Sequence, residues 1–124
     1  MQHILFIAMG GAIGAVLRYT VSSGIHVLLG RDFPYGTLVV NVAGSLMIGV
    51  CYITLVERLN IGGEWRALII VGILGAFTTF STFSIETYQL MENGQLPKAL
   101  LNIFSNVTIC LLATWFGIWL GKQW

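Results

Sequence analysis

The sequence predicts an all-α membrane protein of four transmembrane helices, on three observations. Only 9% of its residues are charged and 56% are hydrophobic, against about 25% charged in an ordinary soluble domain. The mean hydropathy is +0.85. Charges fall at Arg18, Arg31/Asp32, Glu57/Arg58, Glu64/Arg66, Glu86, Glu92, Lys98 and Lys122, and the apolar runs between them have the ~20-residue length of a membrane helix. Four spans consume about 80 residues at that length of the 124 present. A single membrane domain is therefore expected, with no room for a soluble catalytic or nucleic-acid-binding domain. The net charge of +1 gives no sign of a polyanionic partner.

The first span is expected over residues 4–29. No basic segment precedes it and no A-x-A site follows, so it reads as a retained span rather than a signal peptide. Gly10 and Gly14 are spaced for close helix approach. Arg18 interrupts the span. It can snorkel to the interface, pair, or face an aqueous vestibule and draw anions, and the sequence leaves these roles open. Pro34 and Gly36 mark a turn. The second span follows over 37–56, with Asn41 and a small-residue stripe at Gly44, Ser45 and Gly49. Asn41 either bonds a neighbouring helix or lines a polar path. After a short polar loop, Trp65 suits the interfacial belt and the third span runs over 67–90. Pro97 then opens the fourth, over 98–121, which carries Asn102, Ser105, Asn106, Thr108 and Thr114. Trp115, Trp119 and Trp124 suit an interfacial anchor at its far end. Cys51 and Cys110 fall inside spans and read as buried structural thiols.

The third span is the unusual one. After Gly75 it alternates hydroxyls (Thr78, Thr79, Ser81, Thr82, Ser84) with Phe77, Phe80 and Phe83. Phenylalanines three apart share one helical face, which crowds the hydroxyls onto the remaining arc. A continuous lipid-facing helix gains nothing from that pattern. A break after Gly75 would place carbonyls and hydroxyls at membrane depth, tolerated only where protein buries them or a polar cavity receives them. This segment is read as the place where an ion is handled. Glu86, just beyond it, lies near the membrane boundary, where solvation is available.

Charge placement bears on assembly. Four spans put both termini on one side, with Arg58, Arg66 and Lys122, and leave Arg18, Arg31 and Lys98 on the other. An even split gives the positive-inside rule nothing to act on. The expected consequence is an antiparallel, dual-topology homodimer. The mid-span groups are donors rather than carboxylates: the Asn41 amide and the hydroxyls of Ser81, Thr82 and Thr114. Phenyl edges are electropositive, so an anion can lie in the ring plane of Phe80 or Phe83. Rings alone do not suffice. Burying a bare ion costs ~20 kcal/mol in the idealised limit, against ~0.5–1.5 kcal/mol for an aromatic contact.

Three motifs, Gly10-Gly-x-x-Gly-Ala-x-x-Arg18-Tyr19, Gly36-Thr-Leu-x-x-Asn41 and Gly72-x-x-Gly75-x-x-Thr-Thr-Phe80-Ser-Thr-Phe83-Ser, closely resemble the Fluc (CrcB) fluoride channel family over essentially the whole chain. The resemblance implies a dual-topology homodimer in the bacterial inner membrane that lets fluoride leave the cytoplasm passively, protecting the cell from it. It matches Phe80 and Phe83 to pore phenylalanines, Asn41 to the pore asparagine, Ser81 and Thr82 to a hydroxyl track, and Thr114 to a polar pore position. It matches Gly75 and Thr78 to residues whose backbone carbonyls hold a structural sodium ion at the dimer centre. Arg18 and Glu86 also fall on family positions. Cys110 departs from the pattern where relatives often carry serine, and a thiol is the weaker donor.

Two other readings compete with this one. A small dual-topology, proton-coupled exporter of cationic compounds needs an intramembrane acid, and no span carries one at its middle. A non-conducting scaffold accounts for the small-residue stripes but not for the Thr/Ser-Phe segment. No enzyme is expected: His3 and His26 are isolated, and no nucleophile–base or metal motif occurs.

Overall fold

The computed structural model describes residues 2–123, so Trp124 lies outside the described residues. Every regular element is helical. Helix α1 is Gln2–Leu29. Helix α2, Tyr35–Cys51, winds on as wide π-type turns over Tyr52–Arg58. Helix α3, Gly63–Arg66, leads through π-type turns at Ala67–Leu74 into the short α4, Gly75–Phe77. Helix α5 is Phe80–Glu92 and α6 is Leu96–Lys122. Four helical stretches are long and apolar enough to cross a membrane: Gln2–Leu29, Tyr35–Arg58, Gly63–Glu92 and Leu96–Lys122. Each begins earlier than the apolar run that marks it. Polar residues such as Glu64 and Glu92 end a hydropathy run, yet they continue a helix into the interface.

Helix ends follow local chemistry. Gly30 takes a φ of 86° and its N–H returns to the His26 carbonyl at 2.8 Å, a glycine-terminated helix end. Gly94, at φ 75°, does the same for α5, with the Gln95 N–H reaching the Leu90 carbonyl at 2.8 Å. Pro97 sits in the first turn of α6, where its missing N–H costs nothing.

The bundle packs as two close pairs. Helix α1 lies along residues 67–77, and α2 lies along α6. In both pairs glycines set the spacing. A Cβ on Gly14 would run into the Ile73 carbonyl, and one on Gly117 into the Leu46 carbonyl. Small residues at such crossings let backbones gain contact that lipid cannot replace. The two buried residues of α1 are Gly10 and Gly14; its other faces carry exposed apolar side chains such as Leu5, Val16 and Val27, a surface for lipid or another chain. Gly14→Val is expected to cost about 1–3 kcal/mol by overpacking. Thermal unfolding in detergent checks this, and an unchanged midpoint would mean that α1 is not held at this distance.

Candidate functional site

The backbone of the third span leaves helical geometry at two residues. Thr78 has φ −80° and ψ 158°, and Thr79 has φ −151° and ψ 118°. Both are β-branched and at ease in extended backbone. A residue from the second span holds them there. The Thr79 N–H, which in a continuous helix would bond the Gly75 carbonyl, donates instead to Asn41 Oδ1 at 2.8 Å. Asn41 Nδ2 donates back to the Thr79 carbonyl at 3.0 Å. This two-point clamp satisfies both main-chain groups of the residue that interrupts the helix. The Thr79 hydroxyl then accepts the Thr82 N–H at 3.2 Å, capping α5. Thr78 seats its methyl against Gly44, where a side chain would collide with it. Losing the cap in Thr79→Ala is expected to cost about 1 kcal/mol, read as a lower unfolding midpoint with the Asn41 clamp intact.

The clamp continues across the bundle. Asn41 Nδ2 also donates to Asn106 Oδ1 at 3.0 Å. Asn106 Nδ2 donates to Asn102 Oδ1 at 2.9 Å and to the Asn102 carbonyl at 3.0 Å. Asn102 Nδ2 donates to the Thr87 hydroxyl at 2.8 Å, and that hydroxyl donates to the Phe83 carbonyl at 2.8 Å. One relay thus joins spans two, three and four.

Beside the clamp lies a cleft of about 470 Å³, lined by Asn41, Ser45, Gly75, Thr78, Thr79, Phe80, Phe83, Asn106 and Cys110 among others. Phe80 and Phe83 meet edge to face, with centroids 5.2 Å apart at 62°. They differ sharply in environment: Phe83 is 7% exposed and Phe80 75%.

The residues singled out in the sequence divide as follows. Asn41, Phe80, Phe83, Gly75, Thr78 and Cys110 share this cleft; Ser81, Thr82 and Thr114 are outside its lining. Both amide hydrogens of Asn41 have protein acceptors. The Thr114 hydroxyl donates to the Ser45 carbonyl at 3.1 Å. Ser81 is exposed and Thr82 half-buried at the start of α5. Arg18 is half-buried in α1 and belongs to neither cavity. Glu86 lines a second cavity of about 380 Å³ with His26, Arg31 and Asp32, and its Oε1 is buried without a hydrogen-bond partner. Asn102, Asn106 and Thr87 were not singled out. Asparagines four apart share a helix face, and that was their available signal in an otherwise apolar run.

Among the described residues, no group of three or more His, Cys, Asp or Glu is placed to hold a metal ion. Oxygen donors at the break are of another kind. The N–H groups of Thr79 and Thr82 have turned to side-chain acceptors, so the Gly75 and Thr78 carbonyls lack the donors that a continuous helix would supply. Both residues line the open cleft, and carbonyl oxygens suit a hard cation.

Residues 5–118 match the family described as CrcB-like protein, Camphor Resistance (CrcB). A protein of Shewanella amazonensis named fluoride-specific ion channel FluC is 55% identical over 117 residues, 94% of each chain. A protein of the same name from Hydrogenovibrio crunogenus is 48% identical over 121 residues, 98% of this chain and 92% of that one. A third, from Methylococcus capsulatus, is 50% identical over 117 residues, 94% of this chain, which spans about half (51%) of that relative's length. Four apolar membrane-length helices, two of the motif-bearing segments (around Asn41 and around residues 75–83) meeting at one cleft, and a match over nearly all of its length make this chain a multi-pass membrane protein of the CrcB family.

Proposed function

We propose that the chain forms a fluoride-selective passive channel that exports fluoride from the bacterial cytoplasm across the inner membrane. The observation that carries this reading is the cleft at residues 78–79. There, Phe80 and Phe83 line one cleft with Thr78 and Thr79 at a helix interruption held by Asn41. The names of the relatives supply the solute. Fluoride is small and strongly hydrated, so its path must replace water from several directions. Ring edges give a little each; the hydroxyls of Ser81 and Thr82, at the first turn of α5, give more.

In this reading Phe80, Phe83, Ser81 and Thr82 line the path, and Asn41 shapes it. Thr114 is a further polar position on span four. Arg18 and Glu86 stand at its vestibules, and Cys110 weakens one coordination point. The functional unit is an antiparallel, dual-topology homodimer. The even charge split between the two sides supports this, as does the exposed apolar surface around the cleft, with Phe80, Leu111 and Val107. A sodium ion held by carbonyls of Gly75 and Thr78 would fix the two copies to each other at this face. Those residues would bind and orient it, while the anion path runs beside it. The proton-coupled exporter considered from the sequence is not favoured by these relatives.

The experiment is fluoride efflux from liposomes reconstituted with the purified full chain, read by a fluoride electrode beside a chloride electrode. Rapid fluoride loss with chloride retained is expected. Equal passage of both anions, or none, would refute the channel reading.

A further inference from the structure

We propose that the buried pair Thr87 and Asn102 is a positioning device for the anion path, setting through Asn106 the orientation of the Asn41 amide that keeps the third span interrupted. The inference rests on the channel reading above. Neither residue touches the cleft, and both are enclosed: Asn102 is 0% exposed and Thr87 7%.

Direction is the key property of the relay. Every bond in it donates the same way, from Asn41 to Asn106, to Asn102, to Thr87 and finally to the Phe83 carbonyl. Both ends are main-chain groups that cannot flip. The Phe83 carbonyl can only accept, so the Thr87 hydroxyl donates to it and accepts from Asn102. At the other end the Thr79 N–H can only donate, so Asn41 must turn Oδ1 toward it. An asparagine amide is nearly symmetric in shape, and its orientation is decided by its partners. With the Asn102–Thr87 bond in place, Asn102 presents Oδ1 to Asn106, Asn106 presents Oδ1 to Asn41, and Asn41 can serve Thr79.

Without that bond the chain of choices comes loose. Asn102 can reverse, and its amide then faces that of Asn106, which either holds on by the Asn102 main-chain carbonyl alone or gives up that bond and turns its own amide toward Asn41. In the second orientation two donors would face each other, and Asn41 would satisfy either Asn106 or Thr79 but not both. Adhesion alone is a weak reason for such a relay, because interhelical hydrogen bonds in membranes add only modestly to stability. Aligned bonds in a low-dielectric interior reinforce one another, and what they supply here is a single orientation. The relay also bonds the carbonyl of Phe83 itself, so one pair governs both the interruption and the wall beside it.

The test uses the full chain in liposomes, with fluoride efflux, fluoride-over-chloride selectivity and thermal unfolding measured together. Thr87→Val keeps the side-chain shape and removes the hydroxyl; Thr87→Ser keeps the hydroxyl. Thr87→Val is expected to lower fluoride efflux by about tenfold, the size of one lost orienting interaction, and to raise relative chloride passage. Thr87→Ser should match wild type. Thr87→Val/Asn102→Leu removes both partners of that bond and leaves Asn106 its bond to the main-chain carbonyl of residue 102, so its unfolding midpoint should recover part of the way toward wild type while flux and selectivity stay impaired. A structural role alone would restore all three together, and that result overturns the proposal. Should the double variant fail to fold, Thr87→Val against Thr87→Ser decides it: equal flux and selectivity in those two overturns it as well. Absence of efflux from the wild-type protein would instead overturn the channel reading, so the two failures are distinct.

Discussion

Asn41→Asp is expected to silence the channel, with fluoride current falling about 1000-fold. The new carboxylate would keep an acceptor for the Thr79 N–H, but its second oxygen would face the Thr79 carbonyl and Asn106 Oδ1, where Asn41 now donates at 3.0 Å to each. The clamp therefore loses both bonds of its donor side. A full negative charge at the cleft wall also opposes the permeant ion directly. At ~4 Å and an effective dielectric near 20, two unit charges repel by about 4 kcal/mol, which is roughly three decades of rate. Planar-bilayer recording of the purified variant checks this. Wild-type current would place the anion path away from Asn41.

The two cleft phenylalanines should separate stability from conduction. Phe83 is 7% exposed, so Phe83→Ala leaves a cavity and is expected to cost about 3–5 kcal/mol of stability as well as flux. Phe80 is 75% exposed, so Phe80→Ala should leave the unfolding midpoint of the monomeric fold near wild type. Its flux should still fall, by up to about tenfold if one ring edge contributes ~1.5 kcal/mol to the ion's passage. Melting curves and efflux rates on the same preparations give both quantities. Undiminished flux in Phe80→Ala would remove that ring from the path.

The four spans were legible because hydrophobicity over a membrane thickness is a strong, local signal. The third span's oddity was legible too, since hydroxyls alternating with phenylalanines at 77, 80 and 83 suit no lipid-facing helix. What holds Thr79 extended was not legible. Asn41 lies 38 positions away, and an amide clasping a main-chain N–H and carbonyl leaves no periodic trace. The sequence left Asn41 between bonding a neighbouring helix and donating to an ion; the structure occupies both its hydrogens with protein acceptors on the third and fourth spans. Asn102 and Asn106 looked like scattered polar points, because their importance comes from Thr87 and Asn41 on other spans. The π-type turns at Tyr52–Arg58 and Ala67–Leu74 have no residue signature of their own. For the latter, close contact with Gly10 and Gly14 of α1 is a tertiary condition that no single segment encodes.

The most direct test of the central claim is to let the third span heal and then ask whether it conducts. Asn41→Leu/Thr79→Ala removes the clamp and the cap together, freeing the Thr79 N–H to return to the Gly75 carbonyl and continue the helix. Fluoride-electrode efflux from liposomes containing this folded variant should be lost. Efflux at the wild-type rate would contradict the account, because the anion would then cross without the interruption that Asn41 maintains.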